Sequence, residues 1–161
     1  MRRDFDCGVP EISDYLRDRG NNAAWRNAAK PWVAVDADVG VIGYYVLVAS
    51  RIERKKAPAD LAAIEPLHAI PSTYLAAFAI DRRFQGRGYG SDLLLHAFIT
   101  AANAARYVNS YAMDLHAFDD RARAFHVRHG FRPLGDPRRP NDLYILLQDI
   151  RRTLEGYGDL V

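Results

Sequence analysis

Three glycines within five residues, Gly86, Gly88 and Gly90, stand between an apolar run, Tyr74 to Ile80, and a segment in which Leu94, Leu95, Phe98, Ile99 and Ala102 recur at helical spacing. Strand, glycine loop, helix is therefore the local order. The first N–H groups of a helix have no partner within it and carry about half a positive charge, so a loop without Cβ atoms at that point lets a phosphate oxygen approach the backbone closely. Arg87 adds a cation. The chemistry this stretch suits is the holding of a pyrophosphate, and the other reading is a glycine-rich turn with no ligand. A P-loop is excluded because no Lys follows the glycines, and the dinucleotide spacing Gly-x-Gly-x-x-Gly is absent.

Acid and base groups are sparse. Only Glu11, Glu53, Glu65 and Glu155 represent glutamate, and no carboxylate is marked out as a base by its position in the sequence. Of the five histidines, His126 lies in a helical segment, His116 ends an apolar strand, and His68, His96 and His129 have no metal-binding spacing. His116 and Tyr74 are secondary base candidates, with a satisfied core residue as the plainer role of each. A single Cys7 excludes an intramolecular disulfide and a thiolate metal site, so no metal is expected.

The elements that must position these residues follow from the pattern. Pro10, Ile12, Tyr15 and Leu16 predict a short helix over 9–19, and Asn21 to Ala29 a second, anchored by Trp25 and ended by Pro31. Trp32 to Val35 and Val39 to Ser50 predict an antiparallel hairpin in which Gly43 marks a bulge or a close approach of backbone. Arg51 to Lys56 is the densest basic patch; it reads as a solvated loop or as a rim for a polyanion, and a connection through Pro58, Pro66 and Pro71 follows. After the loop and its helix to about Ala105 come a strand over 111–117, a helix capped by Asp119 or Asp120 and stopped at Gly130, a strand over 143–147 and a last helix over 149–155. This order predicts an α/β (α+β) fold in one domain, 1–161, with a mixed central sheet, antiparallel in its N-terminal half and parallel at its centre, and helices on both faces.

Composition sets the outer bounds. With 161 residues, 49% of them hydrophobic and 11% aromatic, the chain can bury a substantial core. No apolar run reaches the 18 residues of a membrane span, and a cytoplasmic protein is expected. The formal charge is +2, yet 19 Arg stand against three Lys; Arg is the better fork for phosphate, although an arginine- and alanine-rich composition also follows from a GC-rich genome.

Gln85, Gly88 and Gly90 resemble the Gln/Arg-x-x-Gly-x-Gly/Ala signature of the GNAT acetyltransferase superfamily. About 40 residues on, the run Asp119 to Phe131 resembles that family's Asn-x-x-Ala-x-x-x-Tyr-x-x-x-Gly-Phe pattern through Ala122, Gly130 and Phe131. Phe5-Asp6-Cys7-Gly8 is similar to the opening of a branch that includes toxins of toxin-antitoxin pairs, which acetylate the amino group of aminoacyl-tRNA and are partnered by a ribbon-helix-helix antitoxin. The resemblance implies an N-acetyltransferase with acetyl-CoA as cosubstrate and a homodimer as the assembly. Main-chain groups of Phe78 and Ile80 would line the pantetheine arm; Gln85, Gly86, Arg87, Gly88, Tyr89, Gly90 and Ser91 would hold the pyrophosphate; and Asp119 and Phe125 would complete the cofactor site. His126 stands where the family has a Tyr acid, Asp119 where it has Asn, and Ala77 where the toxin branch has Arg. His126 as imidazolium could protonate the departing thiolate, or it could pack beside the cofactor while water is the acid. The acceptor is left open among aminoacyl-tRNA, a peptide amine and a small-molecule amine, and a silent CoA- or antitoxin-binding module is the reading from a different class.

Overall fold

The computed structural model describes residues 3–18, 29–64 and 68–158. Its elements are α1 (Pro10–Asp18), β1 (Pro31–Asp36), β2 (Gly40–Glu53), α2 (Ala59–Ala62), β3 (Ala69–Ile80), α3 (Tyr89–Ala104), β4 (Ala112–His116), α4 (Asp120–Arg128), β5 (Arg132–Pro133), β6 (Asp142–Leu146) and α5 (Leu147–Glu155). Single 3-10 turns, Arg54–Lys56 and Arg82–Phe84, follow β2 and β3. The strands form one mixed sheet in the order β1-β2-β3-β4-β6-β5, with β1–β2, β4–β6 and β5–β6 antiparallel and β3–β4 parallel. The expected antiparallel N-terminal half and parallel centre are both present. The expected second helix over 21–29, with Trp25, lies outside the described residues apart from Ala29.

Two compact units make up the chain. In the first, Met1–Leu47 with Ala76–Ala97, α1 lays Leu16 inward, and Phe5 meets Tyr44 edge to face with ring centroids 5.5 Å apart. Gly43 fulfils both expectations placed on it: the β1–β2 register shifts between Ala34 and Val35, and a Cβ at Gly43 would come within 2.7 Å of the Ala79 carbonyl oxygen.

The second unit, Val48–Leu75 with Phe98–Val161, is built on β4. Four of its five residues are buried, where alternation through Tyr111, Met113 and Leu115 predicts only one buried face. β4 is an interior strand, with β3 on one side and β6 on the other, and the burial of both its faces means that chain packs above and below the sheet there. Below it Ile52, Leu61, Ile70, Ala112, Tyr144 and Leu146 form a core cluster. Strand β3 starts five residues before the predicted Tyr74 and takes in Pro71, which the sequence places in a loop. Pro71 has no N–H to give, but its carbonyl still accepts from Tyr111 N at 2.9 Å.

Candidate functional site

The glycine loop is set by its own side chains and by the N-terminal segment. Asp81 is almost fully buried, caps the 3-10 turn by accepting Arg83 N at 3.0 Å, takes Arg83 Nε at 2.9 Å and Nη2 at 3.1 Å, and accepts Asp6 N at 3.2 Å. Burial would raise its pKa, but these hydrogen bonds and the Arg83 charge outweigh burial and hold it below the usual carboxylate value. Gln85 donates through Nε2 to the carbonyls of Ile80 and Cys7, at 2.9 and 3.0 Å. Arg82 N donates to Asp6 O at 2.8 Å. The Phe5-Asp6-Cys7-Gly8 opening is thus the strap that fixes the start of the loop.

Gly86 and Gly88 then take φ of +74° and +91°, a region that disfavours a Cβ, and the space where each Cβ would stand is open. Gly90 lies inside the first turn of α3, which begins as Ser91 N and Asp92 N both turn to Gly88 O. The N–H groups ahead of them are the unpaired donors of a helix start. Arg87 and Tyr89 flank the loop, with the Arg87 guanidinium 5.9 Å from the Phe84 ring and Tyr89 edge-on to the same ring at 6.0 Å. The same unit has an aromatic concavity of about 300 Å³ among Trp32, Tyr45, Ile80, Tyr89, Asp92 and His96, in which Tyr45 and His96 Nδ1 are 2.8 Å apart. That contact gives His96 a hydrogen-bonding role inside the concavity.

The residues of the second signature lie in the second unit. Asp119, not Asp120, is the cap of α4, accepting Ala122 N at 2.7 Å. Phe125 packs against His129 at 4.4 Å and His126 at 5.1 Å, and His126 is edge-on to Phe131 at 5.2 Å. Burial between two phenylalanines, with the His129 charge adding to it, pulls His126 down to about 4. Burial thus favours the uncharged imidazole and weighs toward packing among the two roles considered for His126.

The sequence missed Asp114. Its register on β4 puts it opposite Tyr74 of β3 and opposite Tyr144 of β6. Directly opposed residues share a face of the sheet, so Ser72, Tyr74, Asp114, His116, Asp142 and Tyr144 all face one way. Of these, Asp142 is paired with His116 at 2.6 Å and with Arg139 at 2.7 Å, and Tyr144 donates to Asp60 at 2.8 Å. Asp114 differs: Oδ1 is buried without a hydrogen-bond partner, as is Ser72 Oγ. Burial raises Asp114 to about 6, with Asp142 adding to the rise and Ser72 opposing it, although Ser72 does not reach hydrogen-bond geometry with it. Burial and the charges of Asp114 and Asp142 likewise push Tyr74 up, away from a base role of its own. His116 is exposed, and its Nδ1 is 2.6 Å from Asp142 Oδ1.

The basic patch is partly strand. Arg51 to Glu53 ends β2, with Ile52 turned into the core, and Arg54 to Lys56 is a 3-10 turn. Arg51, Glu53, Arg54, Lys55 and His68 line an open groove of about 600 Å³, and Glu53 takes Lys55 at 3.5 Å and Lys56 at 3.3 Å. Among the described residues no group of three His, Cys, Asp or Glu side chains could hold a metal ion, and no helix is long and apolar enough to cross a membrane.

The acetyltransferase (GNAT) domain model matches residues 27–133. A tRNA-acetylating toxin of Mycobacterium tuberculosis is 33% identical over 150 residues, 93% of this chain and 88% of the toxin. Two solved structures superpose over 96% of the chain at 26% identity. One is AtaT complexed with acetyl-methionyl-tRNAfMet, with a TM-score of 0.84 and 92% of that chain covered. The other is a tyrosine-to-phenylalanine variant of the toxin AtaT bound to the C-terminus of the antitoxin AtaR and acetyl-CoA, with a TM-score of 0.76 and 90% covered. A glycine loop opening a helix, a capped second signature and these likenesses agree: the chain belongs to the GNAT acetyltransferase family.

Proposed function

We propose that the protein transfers the acetyl group of acetyl-CoA to the amino group of an aminoacyl-tRNA, as a toxin of a toxin-antitoxin pair. The observation that carries the cosubstrate is the loop: Gly86 and Gly88 at positive φ with open space beside them, ahead of the 16-residue helix α3. The loop from Gly86 to Ser91 would hold the pyrophosphate through the main-chain N–H groups ahead of Ser91, whose own N–H turns to Gly88 O, and through the Arg87 guanidinium, with Gln85 acting through the backbone it ties down. Main-chain groups of Phe78 and Ile80 would take the pantetheine arm, and Asp119 and Phe125 would set the start and one face of α4 for the cofactor. Acetyl-CoA supplies an activated thioester; no metal is called for.

The acceptor rests on the likeness to a tRNA-acetylating toxin and on the groove lined by Arg51, Arg54 and Lys55, which suits a phosphate backbone better than a small cationic amine. A cytoplasmic homodimer, one domain per chain, held in check by a ribbon-helix-helix antitoxin, completes the reading. Its test is thiol release from acetyl-CoA with charged tRNA, free amino acid amides and polyamines as acceptors. The expected result is release with charged tRNA and an acetylated aminoacyl end. Release with a small amine alone would move the acceptor to that class, and tight CoA binding with no release from any amine would leave a silent module.

A further inference from the structure

We infer that Tyr107 is a stacking platform for an unpaired base of the acceptor RNA, set beside the basic groove that takes its phosphates. This rests on the aminoacyl-tRNA reading above and deepens it, by naming which feature of the RNA the second unit recognises.

The groove and the ring belong to one end of the second unit's strands. Arg54 N donates to His68 O at 2.9 Å, which sets the end of β2 beside the start of β3. Tyr111 N donates to Pro71 O at 2.9 Å and the Thr73 and Ser110 hydroxyls are 3.0 Å apart, so the turn from α3 into β4 is tied to that same start of β3. Tyr107 stands three residues before Ser110 in this turn.

They also share a face. Ile52, Ile70, Ala112 and Leu146 meet in one core cluster, so their strand neighbours Arg51, Glu53, Ala69, Met113 and Ile145 turn the other way. The last half of α3 lies over that second face. A Cβ at Gly130 would stand 3.2 Å from Ile145 Cδ1, and the next residue, Phe131, stacks on Phe98 of α3 at 6.0 Å. The turn that ends α3 is therefore on the side from which Arg51 and Glu53 project.

The turn presents its side chains on a bonded backbone. Arg106 N donates to Asn103 O at 3.1 Å, and Tyr107 N and Val108 N donate to Ala104 O at 3.0 and 3.1 Å, yet Tyr107 is 89% exposed and Val108 70%. Packing does not account for a ring that buries so little. Its surroundings are cationic: Arg51, Arg54, Lys55, Lys56 and Arg106 are all exposed, and among the described residues no carboxylate pairs with Arg51, Arg54 or Arg106. Glu53 is the one carboxylate lining the groove. A fixed ring among cations matches a chain that alternates base and phosphate, the π-face taking the base and the cations the phosphates. A duplex keeps its bases stacked on one another, so Tyr107 selects unpaired nucleotides, which a tRNA carries in its loops and at its 3′ end.

The test measures binding of uncharged tRNA and of a fully paired RNA duplex at 50 and 200 mM salt, for wild type, Tyr107→Ala, Tyr107→Phe and Arg106→Ala. For Tyr107→Ala the expected result is tRNA binding weaker by about tenfold at both salts, because stacking releases no counterion, with duplex binding and acetyl-CoA affinity within about twofold of wild type. Tyr107→Phe keeps the ring and should bind tRNA within about twofold of wild type. Arg106→Ala should instead flatten the salt slope by about one. A Tyr107→Ala protein that binds tRNA like wild type, or loses duplex binding equally, or is matched in weakness by Tyr107→Phe, overturns the platform and leaves the transfer reading standing. Wild type that binds no tRNA overturns the tRNA acceptor, and the platform with it.

Discussion

The glycine loop and the β4 face treat their polar groups in opposite ways. Around the loop every structural carboxyl and amide is satisfied: Asp81 accepts four hydrogen bonds and Gln85 donates two, so what is left to meet a ligand is main-chain N–H. On the face shared by β3 and β4 the reverse holds, with Ser72 Oγ and Asp114 Oδ1 buried and without a hydrogen-bond partner. The difference teaches where each task resides. Around the loop the side chains are spent on fixing the backbone, whose N–H groups are left to face outward; on the sheet face burial holds a carboxyl away from its solution pKa.

The widest test of that contrast is pH, because His126 and Asp114 are displaced in opposite directions. His126 sits below its unfolded value of 6.5, at about 4. As pH falls through 6.5 the unfolded chain takes up a proton that the folded chain refuses until about 4, so the folded protein loses stability across that window. The full loss is about 3 kcal/mol, at 1.36 kcal/mol per unit. His126→Phe removes the titrating group, so its stability relative to wild type should improve by about that amount between pH 7 and pH 4, read by urea unfolding. Parallel curves for the two proteins would mean that His126 is not held neutral by burial.

Asp114 runs the other way. Its folded value, about 6, lies above the unfolded 3.8, so the folded state binds the proton first and wild type gains stability as pH falls through 6 toward 3.8. Asp114→Asn should therefore be the more stable protein at pH 7, by up to about 3 kcal/mol, with the advantage closing at pH 4. Between pH 6 and 4 the two groups oppose each other in wild type, and each variant exposes the other's slope. An Asn variant less stable than wild type at pH 7 would show that the carboxylate is held by favourable contacts, and the contrast with the loop would fall.

What the sequence made legible divides along the same line. The glycine turn, α3, an aspartate cap at 119 or 120 and a special backbone position at Gly43 were readable because each is a local rule: a glycine where no Cβ fits, an aspartate just before the N–H groups of a helix start. Asp114 was not readable, since Tyr111-Ala112-Met113-Asp114-Leu115 shows a single acidic residue on the polar side of an alternating strand. Its burial depends on what packs on that face of the sheet, which no local pattern in the sequence shows. For the same reason the two roles of His126, proton donor and packing residue, stayed open in the sequence, although the rings of Phe125 and Phe131 that flank it were already in view. The short β5 was invisible, two residues that exist only as partners of Leu143 and Tyr144.

On the loop side the expected effect is next in size. Gly88→Val must place a β-branched residue at φ +91°, costing roughly 1–2 kcal/mol of stability, but it meets no atom within 4 Å. The protein should fold, while the side chain occupies the space through which a phosphate reaches the α3 N–H groups. Acetyl-CoA affinity should drop about a hundredfold, near 2.7 kcal/mol, by calorimetry. Unchanged affinity in a folded Gly88→Val protein would remove the loop as the cofactor site.

The smallest expected effect concerns the acceptor, and it asks whether the basic groove belongs with the backbone-reading half of the contrast. Arg51, Arg54, Lys55 and Lys56 carry four positive charges, and Glu53, held ionised chiefly by Lys56, offsets one and engages both lysines. Two strong phosphate contacts is a reasonable reach for such a patch. Each contact contributes about −0.9 to the slope of log affinity against log salt, so two of them give about a tenfold loss of tRNA affinity between 50 and 200 mM salt. Arg82 and Arg83, paired with Asp6 and Asp81, are expected to add little. Replacing residues 51, 54, 55 and 56 together by Ala should flatten the slope by about two and weaken binding about tenfold at the lower salt, with acetyl-CoA affinity unchanged. If the quadruple variant binds and acetylates charged tRNA like wild type, the groove does not grip the acceptor, and a peptide or small-molecule amine becomes the better reading.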